Sequence, residues 1–369
     1  MTNPLGLYLH IPFCNGKCAY CDFYSVFPSE KLLDEYTQAL IREIKQWGGS
    51  INRPIDTIYL GGGTPSLLNH RLVDIISSIK NSFKVVDHAE LTLEVNPAKN
   101  IEEILKWAKT AGVNRLSIGA QSGDDGDLSL LGRKHTHKDT EHAVKTARDL
   151  GFDNISLDLI LGLPFSTKES LDKSLKFIWN LKPEHISAYI LKIEPNTLFF
   201  KKQKELSIPD DDNIAEQYLQ MCGFFKDVGY KHYEISNFAK QGFESQHNLK
   251  YWDLKDYLGI GPAAHSAVDG NRFFYPRDIK AFINGNTPIP DGECGNAEEY
   301  IMLSLRTSKG VSLSKLEKDY CIMPNNNFLN LCDAFEKNGY LIRENNRIAL
   351  TDEGMLLSNS IITKLLENF

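Results

Sequence analysis

From Leu5 to about Lys192 the chain alternates short apolar runs with amphipathic stretches, and this alternation predicts most of its elements. Leu5–Ile11 reads as a first strand ending at Pro12. Ser29 caps a helix whose inward face is Leu33, Tyr36, Leu40 and Ile44, with Gly48-Gly49 as its expected stop. Ile55–Leu60 is a strand running into Gly61-Gly62-Gly63-Thr64-Pro65, and Leu67–Phe83 a helix with Leu68, Leu72, Ile75, Ile76 and Ile79 at helical spacing. Strands then follow at Leu91–Val95, Arg115–Ala120, Ile155–Leu161 and His185–Leu191. Between them lie helices at Ile101–Ala111, Thr136–Leu150 and Ser166–Leu181. Repeated β-then-α units imply parallel strands joined by right-handed crossovers.

A doubly wound sheet and a closed or partial barrel both satisfy this pattern. The residues after the strands separate them. Gly61–Thr64, Glu94, Gln121, Asp158 and Lys192 all fall at strand C-termini, and barrels gather their sites there from many strands. The expected fold is therefore α/β, a partial (β/α)6 TIM-like barrel.

Beyond it, Asp210-Asp211-Asp212 opens a helix with Ile214, Tyr218, Met221 and Phe225 on one face, and Tyr230–Asn237 reads as one more strand. Residues 238–295 read as an irregular connection. From about Asn296 the texture turns helical, at Ala297–Thr307, Leu313–Tyr320 and Asn326–Asn338. A hairpin about Asn345-Asn346 and a helix Gly354–Leu366 complete a small, helical, winged-helix-like C-terminal domain. The expected division is 1–237, 238–295 and 296–369.

Composition adds exclusions. With 369 residues, 42% hydrophobic and 24% charged, the chain is an ordinary globular protein. A net charge of −7 argues against general nucleic-acid binding, and residues 296–369 carry 8 Lys+Arg against 10 Asp+Glu, so the C-terminal domain is not expected to read DNA. No apolar run approaches membrane-spanning length and no leader pattern precedes the first strand, so a cytoplasmic location is expected. Of seven cysteines, Cys222, Cys294, Cys321 and Cys332 are scattered and read as small buried hydrophobes. Cys14, Cys18 and Cys21 form one dense C-x₃-C-x₂-C group.

Three thiols on one tight loop can hold metal but cannot close a four-coordinate site. Zinc completed by a distant ligand, a disulfide leaving one cysteine odd, or a [4Fe–4S] cluster with one open iron are the alternatives. With Tyr20 ahead of the last cysteine, the group resembles the signature of radical S-adenosylmethionine (SAM) proteins. That resemblance implies SAM chelating the open iron and being cleaved on one-electron reduction, with electrons from a donor protein.

The resemblance narrows to the oxygen-independent coproporphyrinogen III oxidase-like family, across nearly the whole chain. It is carried by Tyr8-Leu-His-Ile-Pro-Phe-Cys14, Gly61-Gly-Gly-Thr-Pro65, Glu94-Val-Asn-Pro97, Gly119-Ala-Gln121, Asp158-Leu-Ile-Leu-Gly-Leu-Pro164 and Gly259-Ile-Gly261. It implies that Tyr8, Tyr20, Gly62, Gly63, Thr64 and Glu94 serve the cluster-bound SAM. Gln121, Arg133, Asp158 and Lys192 fall where the oxidase holds a second SAM, and His265 where the family offers a backbone contact.

Two departures divide the family. The oxidase carries a further cysteine two residues after the trio, where this chain has Phe23, and a longer arm before the first strand than Met1-Thr-Asn-Pro4. His247-Asn-Leu-Lys-Tyr251-Trp252 instead resembles the HNxxYW motif of HemW-type haem chaperones. Imidazole is a common axial haem ligand and flat aromatics suit a porphyrin, so the resemblance implies haem at His247, Tyr251 and Trp252. The expected function is delivery of haem to an acceptor protein. Membrane contact is expected only through that acceptor, with no nucleic-acid partner and a monomeric or dimeric state. An oxygen-independent coproporphyrinogen III dehydrogenase is the rival.

Overall fold

The computed structural model describes residues 3–369. Strands β1 (Leu5–Ile11), β2 (Ile55–Gly62), β3 (Val85–Val95), β4 (Arg115–Gln121), β5 (Ile155–Leu161) and β6 (His185–Ile190) pair in parallel and in chain order. Helices α1 (Glu30–Ser50), α2 (Arg71–Ser82), α3 (Ile101–Ala111), α4 (Asp125–Leu130), α5 (His137–Asp149) and α6 (Lys168–Asn180) connect them. The alternation of each strand decides its two faces. On β1, Leu5, Leu7, Leu9 and Ile11 are buried in the apolar core shared with the helices, while Gly6, Tyr8 and His10 face the concave interior. The expected partial barrel is what forms.

After β6 come α7 (Leu198–Lys202) and α8 (Asp211–Asp227). The single strand expected at Tyr230–Asn237 is instead a hairpin, β7 (Lys231–Glu234) and β8 (Asn237–Ala239), and β8 pairs antiparallel with β6. The segment expected to be irregular is regular. It carries α9 (Gln246–Trp252), β9 (Tyr257–Ile260), β10 (His265–Val268), β11 (Asn271–Phe274), α10 (Ile279–Ile283) and β12 (Ile289–Glu293). Strand β9 adds in parallel to β1, and the others extend the sheet to 12 strands in the order β12-β11-β10-β9-β1-β2-β3-β4-β5-β6-β8-β7. These strands are short and half-exposed, so no long apolar alternation announces them.

Two further corrections concern helices. Gly48-Gly49 does not stop α1, which runs to Ser50. A Cβ on Gly48 would lie 2.5 Å from the Ser82 carbonyl oxygen, so this glycine serves close helix–helix approach. The helix expected at Leu67–Phe83 breaks at Asn69, whose φ of 49° separates a 3₁₀ turn at Pro65–Leu68 from α2.

The C-terminal unit runs α11 (Ala297–Ser304), β13 (Val311–Ser312), α12 (Leu313–Tyr320), α13 (Asn326–Lys337), β14 (Leu341–Glu344), β15 (Arg347–Leu350), α14 (Asp352–Leu356) and α15 (Ser358–Leu366). Helix–strand–two helices–hairpin, with sheet order β13-β15-β14, is winged-helix topology. The hairpin turns at Asn345 and Asn346, both at positive φ, as a two-residue turn of this hand requires. Helix α11 packs against α9, and Asp352 at the start of α14 bonds His232 of β7 at 2.7 Å.

Candidate functional site

The cysteine loop leaves β1 at the C-terminal end of the barrel strands. Cys14, Cys18 and Cys21 are all free and partly accessible, and all three line a cavity of about 360 Å³. Cys14 Sγ lies 3.4 Å from Thr64 Oγ1, and Arg133 Nη1 points at Cys18 Sγ from 3.6 Å. Burial, with the neighbouring thiols, raises the Cys21 thiol above its ordinary range, a cost that a bound cation removes. Three soft donors converging on one cavity fit an iron–sulfur cluster with one iron left for another ligand.

The glycine run beside them is tightly packed. A Cβ on Gly61 would meet Tyr59 and Glu94, on Gly62 the His10 ring, and on Gly63 the Phe13 carbonyl at 2.6 Å. The glycines let β2 close over the cysteine loop, and only then can Gly62 and Gly63 line the cavity. Glu94 is fixed from two sides, since Tyr59 donates to its Oε1 and the Gly62 N–H to its Oε2, each at 3.0 Å. Burial and the nearby Asp158 push its carboxyl up to about 7. Asp158, held by Ser117 at 3.1 Å, rises through burial to about 6. A site holding two such carboxyls favours a cationic ligand.

Tyr20, Gln121, Arg133 and Asp158 line the same cavity. Gln121 ends β4 at a φ of 66°, a strained value for a side-chain-bearing residue. Arg133 donates to the Gly119 carbonyl at 2.8 Å and to Asn96 Oδ1 at 2.5 Å, while Asn96 donates to Thr64 at 3.1 Å. Asn96 was not singled out from sequence, although it lies two residues after Glu94 and shares its face. Tyr59 and Ser117 were missed too, since an interior polar residue on a buried strand looks like any core position.

Three expected residues stand apart. Tyr8 does not line the cavity and instead bonds His10 Nδ1 at 3.0 Å beneath the glycine run. Lys192 is at the rim, but its side chain is 81% exposed and bound to Glu194. His265 is exposed at the start of β10, stacked on Phe274, and lines no part of the cavity.

The HNLKYW segment forms α9, which plugs the opposite, N-terminal end of the barrel. Glu90 accepts the N–H groups of Gln246 and His247, and Lys250 is buried against Asp56 at 2.7 Å. Tyr233 accepts the Ser245 N–H and reaches His185 at 2.8 Å. Beside them sits Arg115, 2% exposed, whose Nε has no partner among the described residues. His247 is 1% exposed, with Nδ1 2.9 Å from Thr57 Oγ1 and Nε2 2.8 Å from Tyr251 Oη. Burial, then the charges of Lys250 and Arg115, lower the imidazole to about 3, so the ring is neutral, the form that ligates metals. Both ring nitrogens are hydrogen-bonded, so this conformation offers no free nitrogen to an iron. Tyr251 and Trp252 are half-buried.

The sequence pattern of the Radical SAM superfamily matches residues 8–178, and that of the HemN C-terminal domain residues 296–357. The heme chaperone HemW of Bacillus subtilis is 36% identical, over 96% of this chain and 97% of that protein. HemW of Escherichia coli is 40% identical over 72% of this chain and 70% of that protein. Among solved structures, coproporphyrinogen III oxidase (HemN) from Escherichia coli, a radical SAM enzyme, superposes with a TM-score of 0.84. It covers 98% of this chain and 90% of that one at 24% identity, a likeness of fold. The cysteine-lined cavity, the partial barrel and full-length identity above 30% lead to one conclusion: the chain belongs to the HemW family of the radical SAM superfamily.

Proposed function

We propose that this protein is a haem chaperone that binds haem and a SAM-ligated [4Fe–4S] cluster, and passes haem to an acceptor protein. The observation that carries this reading is one chain with full-length similarity to heme chaperone HemW that builds a three-cysteine cavity at one barrel end and the HNLKYW helix at the other.

In this reading Cys14, Cys18 and Cys21 hold the cluster, which supplies one-electron chemistry to bound SAM. Glu94, aimed by Tyr59 and Gly62, takes the cationic amino group, and Gly62, Gly63 and Thr64 wall the same side. Arg133 ties the cysteine loop to β4 through Cys18 and Gly119, and Gln121 and Asp158 meet the remaining polar part of the ligand. His247 is the haem ligand, with Tyr251 and Trp252 as flat neighbours. An electron donor reduces the cluster. The chain works in the cytoplasm, and no helix among the described residues is long and apolar enough to cross a membrane.

The test has two arms on anaerobically reconstituted protein. Haemin should give a Soret shift that His247→Ala weakens, and haem-loaded protein should transfer haem to an apo-acceptor. Reduced protein given coproporphyrinogen III and SAM should make no protoporphyrinogen. Clear turnover would transfer the assignment to the oxidase.

A further inference from the structure

We infer that Cys222, His232 and Asp352 form a zinc site that ties the C-terminal domain to the barrel, apart from the cysteine loop and from haem. The three residues come from three elements: Cys222 from α8, His232 from β7 and Asp352 from the start of α14. They offer a sulfur, an imidazole nitrogen and a carboxylate oxygen, and these atoms lie within 4.8 Å of one another. Ligand atoms around a tetrahedral zinc stand about 3–4 Å apart, so small side-chain shifts close the site.

The local fold explains the convergence. Tyr218, Cys222 and Phe225 form the buried face of α8. The His232 ring lies flat on Phe238 of the paired strand β8, centroids 4.3 Å apart, and meets Tyr218 edge-on. Held in this way, His232 places Nδ1 2.7 Å from Asp352 Oδ1.

Hydrogen bonding alone leaves the cluster incomplete. The His232 side chain is only 10% exposed, yet its Nε2 is buried without a partner among the described residues. Interiors leave few polar atoms unpaired, and ion binding is one reason for those that are. The Cys222 thiol is 2% exposed, and burial, then the Asp352 carboxylate, raise it well above its ordinary range. A divalent cation reverses that balance, binding the sulfur as thiolate while its proton leaves for solvent. The same burial counts against a nucleophilic Cys-His-Asp triad, because no substrate reaches the sulfur.

The donor set selects the metal. Thiolate with imidazole suits zinc, whereas magnesium and calcium take oxygen ligands. The Asp352 side chain is 37% exposed, so the fourth position opens to water. Of the three ligands only Asp352 belongs to the C-terminal domain. Zinc therefore binds tightly only when that domain is seated, and bound zinc holds it there with the same coupling free energy.

The test counts zinc and iron in full-length protein. Wild type should hold about one zinc per chain in addition to the cluster iron. Cys222→Ser and Asp352→Asn should each weaken zinc by at least about tenfold and leave iron unchanged. Protein carrying Cys14→Ser, Cys18→Ser and Cys21→Ser together should lose the iron and keep the zinc. Cobalt in place of zinc gives a readout that mere loss of stability does not mimic. Thiolate-to-cobalt charge-transfer absorption should appear in that triple variant and vanish in Cys222→Ser. Added zinc should raise the melting temperature of wild type but not of Cys222→Ser. Asp352→Asn, at a partly exposed position, keeps the test open if Cys222→Ser fails to fold. Zinc that follows Cys14, Cys18 and Cys21, or zinc indifferent to both Cys222→Ser and Asp352→Asn, would overturn the site. So would a wild type that binds no zinc, leaving His232 and Asp352 as a hydrogen-bonded tie.

Discussion

The imidazole of His247 and the carboxylate of Glu94 serve opposite ends of the barrel, yet one side chain lies between them. Tyr59 donates its phenolic proton to Glu94 at 3.0 Å while its ring packs on His247, centroids 5.3 Å apart. Along β2, His247 bonds Thr57 and Glu94 bonds Gly62, five residues or about 16 Å further up the strand. The proposed haem and SAM residues thus share a neighbour.

Tyr59→Phe should separate the two functions of that neighbour. It keeps the ring against His247 but removes the hydrogen bond that aims Glu94, so SAM affinity should fall roughly tenfold, as for loss of one bond to a charged group, with haemin affinity unchanged. Tyr59→Ala should weaken both. Equilibrium SAM binding and haemin titration on the same preparations check this, and equal loss of both in Tyr59→Phe would contradict it.

With Glu94 as the proposed SAM contact, SAM binding should depend on pH. Burial raises its carboxyl to about 7, so below that pH the group is protonated and the cationic ligand loses its counter-charge. Affinity should decline as pH falls below 7, approaching about tenfold per unit. The stability sign is opposite: a raised carboxyl favours the fold at low pH, and its contribution is lost as pH rises through about 7. Glu94→Gln should bind SAM weakly with no slope from this group. A wild-type affinity flat between pH 6 and 8 would remove Glu94 from the role.

Replacing Cys14, Cys18 or Cys21 by Ser should abolish stable cluster reconstitution, read as iron content and visible absorption. Cys222→Ser should leave both unchanged, since that thiol is buried beside Tyr218 and Asp352, away from the cavity. Stoichiometric zinc in place of iron in the reconstituted wild type would reject the cluster.

The C-terminal domain is tied to the barrel by Asp352 and His232, 2.7 Å apart. The hydrogen bond from His232 holds the Asp352 carboxyl below its usual range. Its stabilising contribution is therefore present at neutral pH and lost as pH falls through that depressed value. Because Asp352 is partly exposed, Asp352→Asn should cost no more than about 1 kcal/mol and should flatten the acid limb of the melting curve. An unchanged acid limb would show that other carboxylates govern it.

Gly48→Ala tests packing instead of chemistry. Its Cβ would press on the Ser82 carbonyl at 2.5 Å, so α1 and α2 must separate. Overpacking of this kind costs about 1–3 kcal/mol, against a gain below about 1 kcal/mol from better helix propensity. Net destabilisation in thermal unfolding is expected, and a higher melting temperature would refute the close-approach reading.

The alternation of apolar and polar positions by itself determined the six parallel strands and the strand-end location of Glu94 and Gln121, whereas Asp158 lies in the middle of β5 and α4 was not announced. Local rules suffice there, because each strand is buried by the helix that follows it. The cysteine spacing and the asparagine turn at 345–346 were equally local signals. Tertiary structure alone decided what residues 238–295 do, since β9 adds to β1 over only four residues and β10 to β12 are stabilised mainly by pairing with one another, not by an apolar face of their own. It also decided that Gly48 and the Gly61–Gly63 run are needed for close packing, and that His247 lies beneath the barrel with both nitrogens engaged. A motif names the groups that can do chemistry. Which partners already hold those groups depends on residues such as Thr57, Tyr59 and Glu90, distant in the chain and brought together only by closure of the sheet.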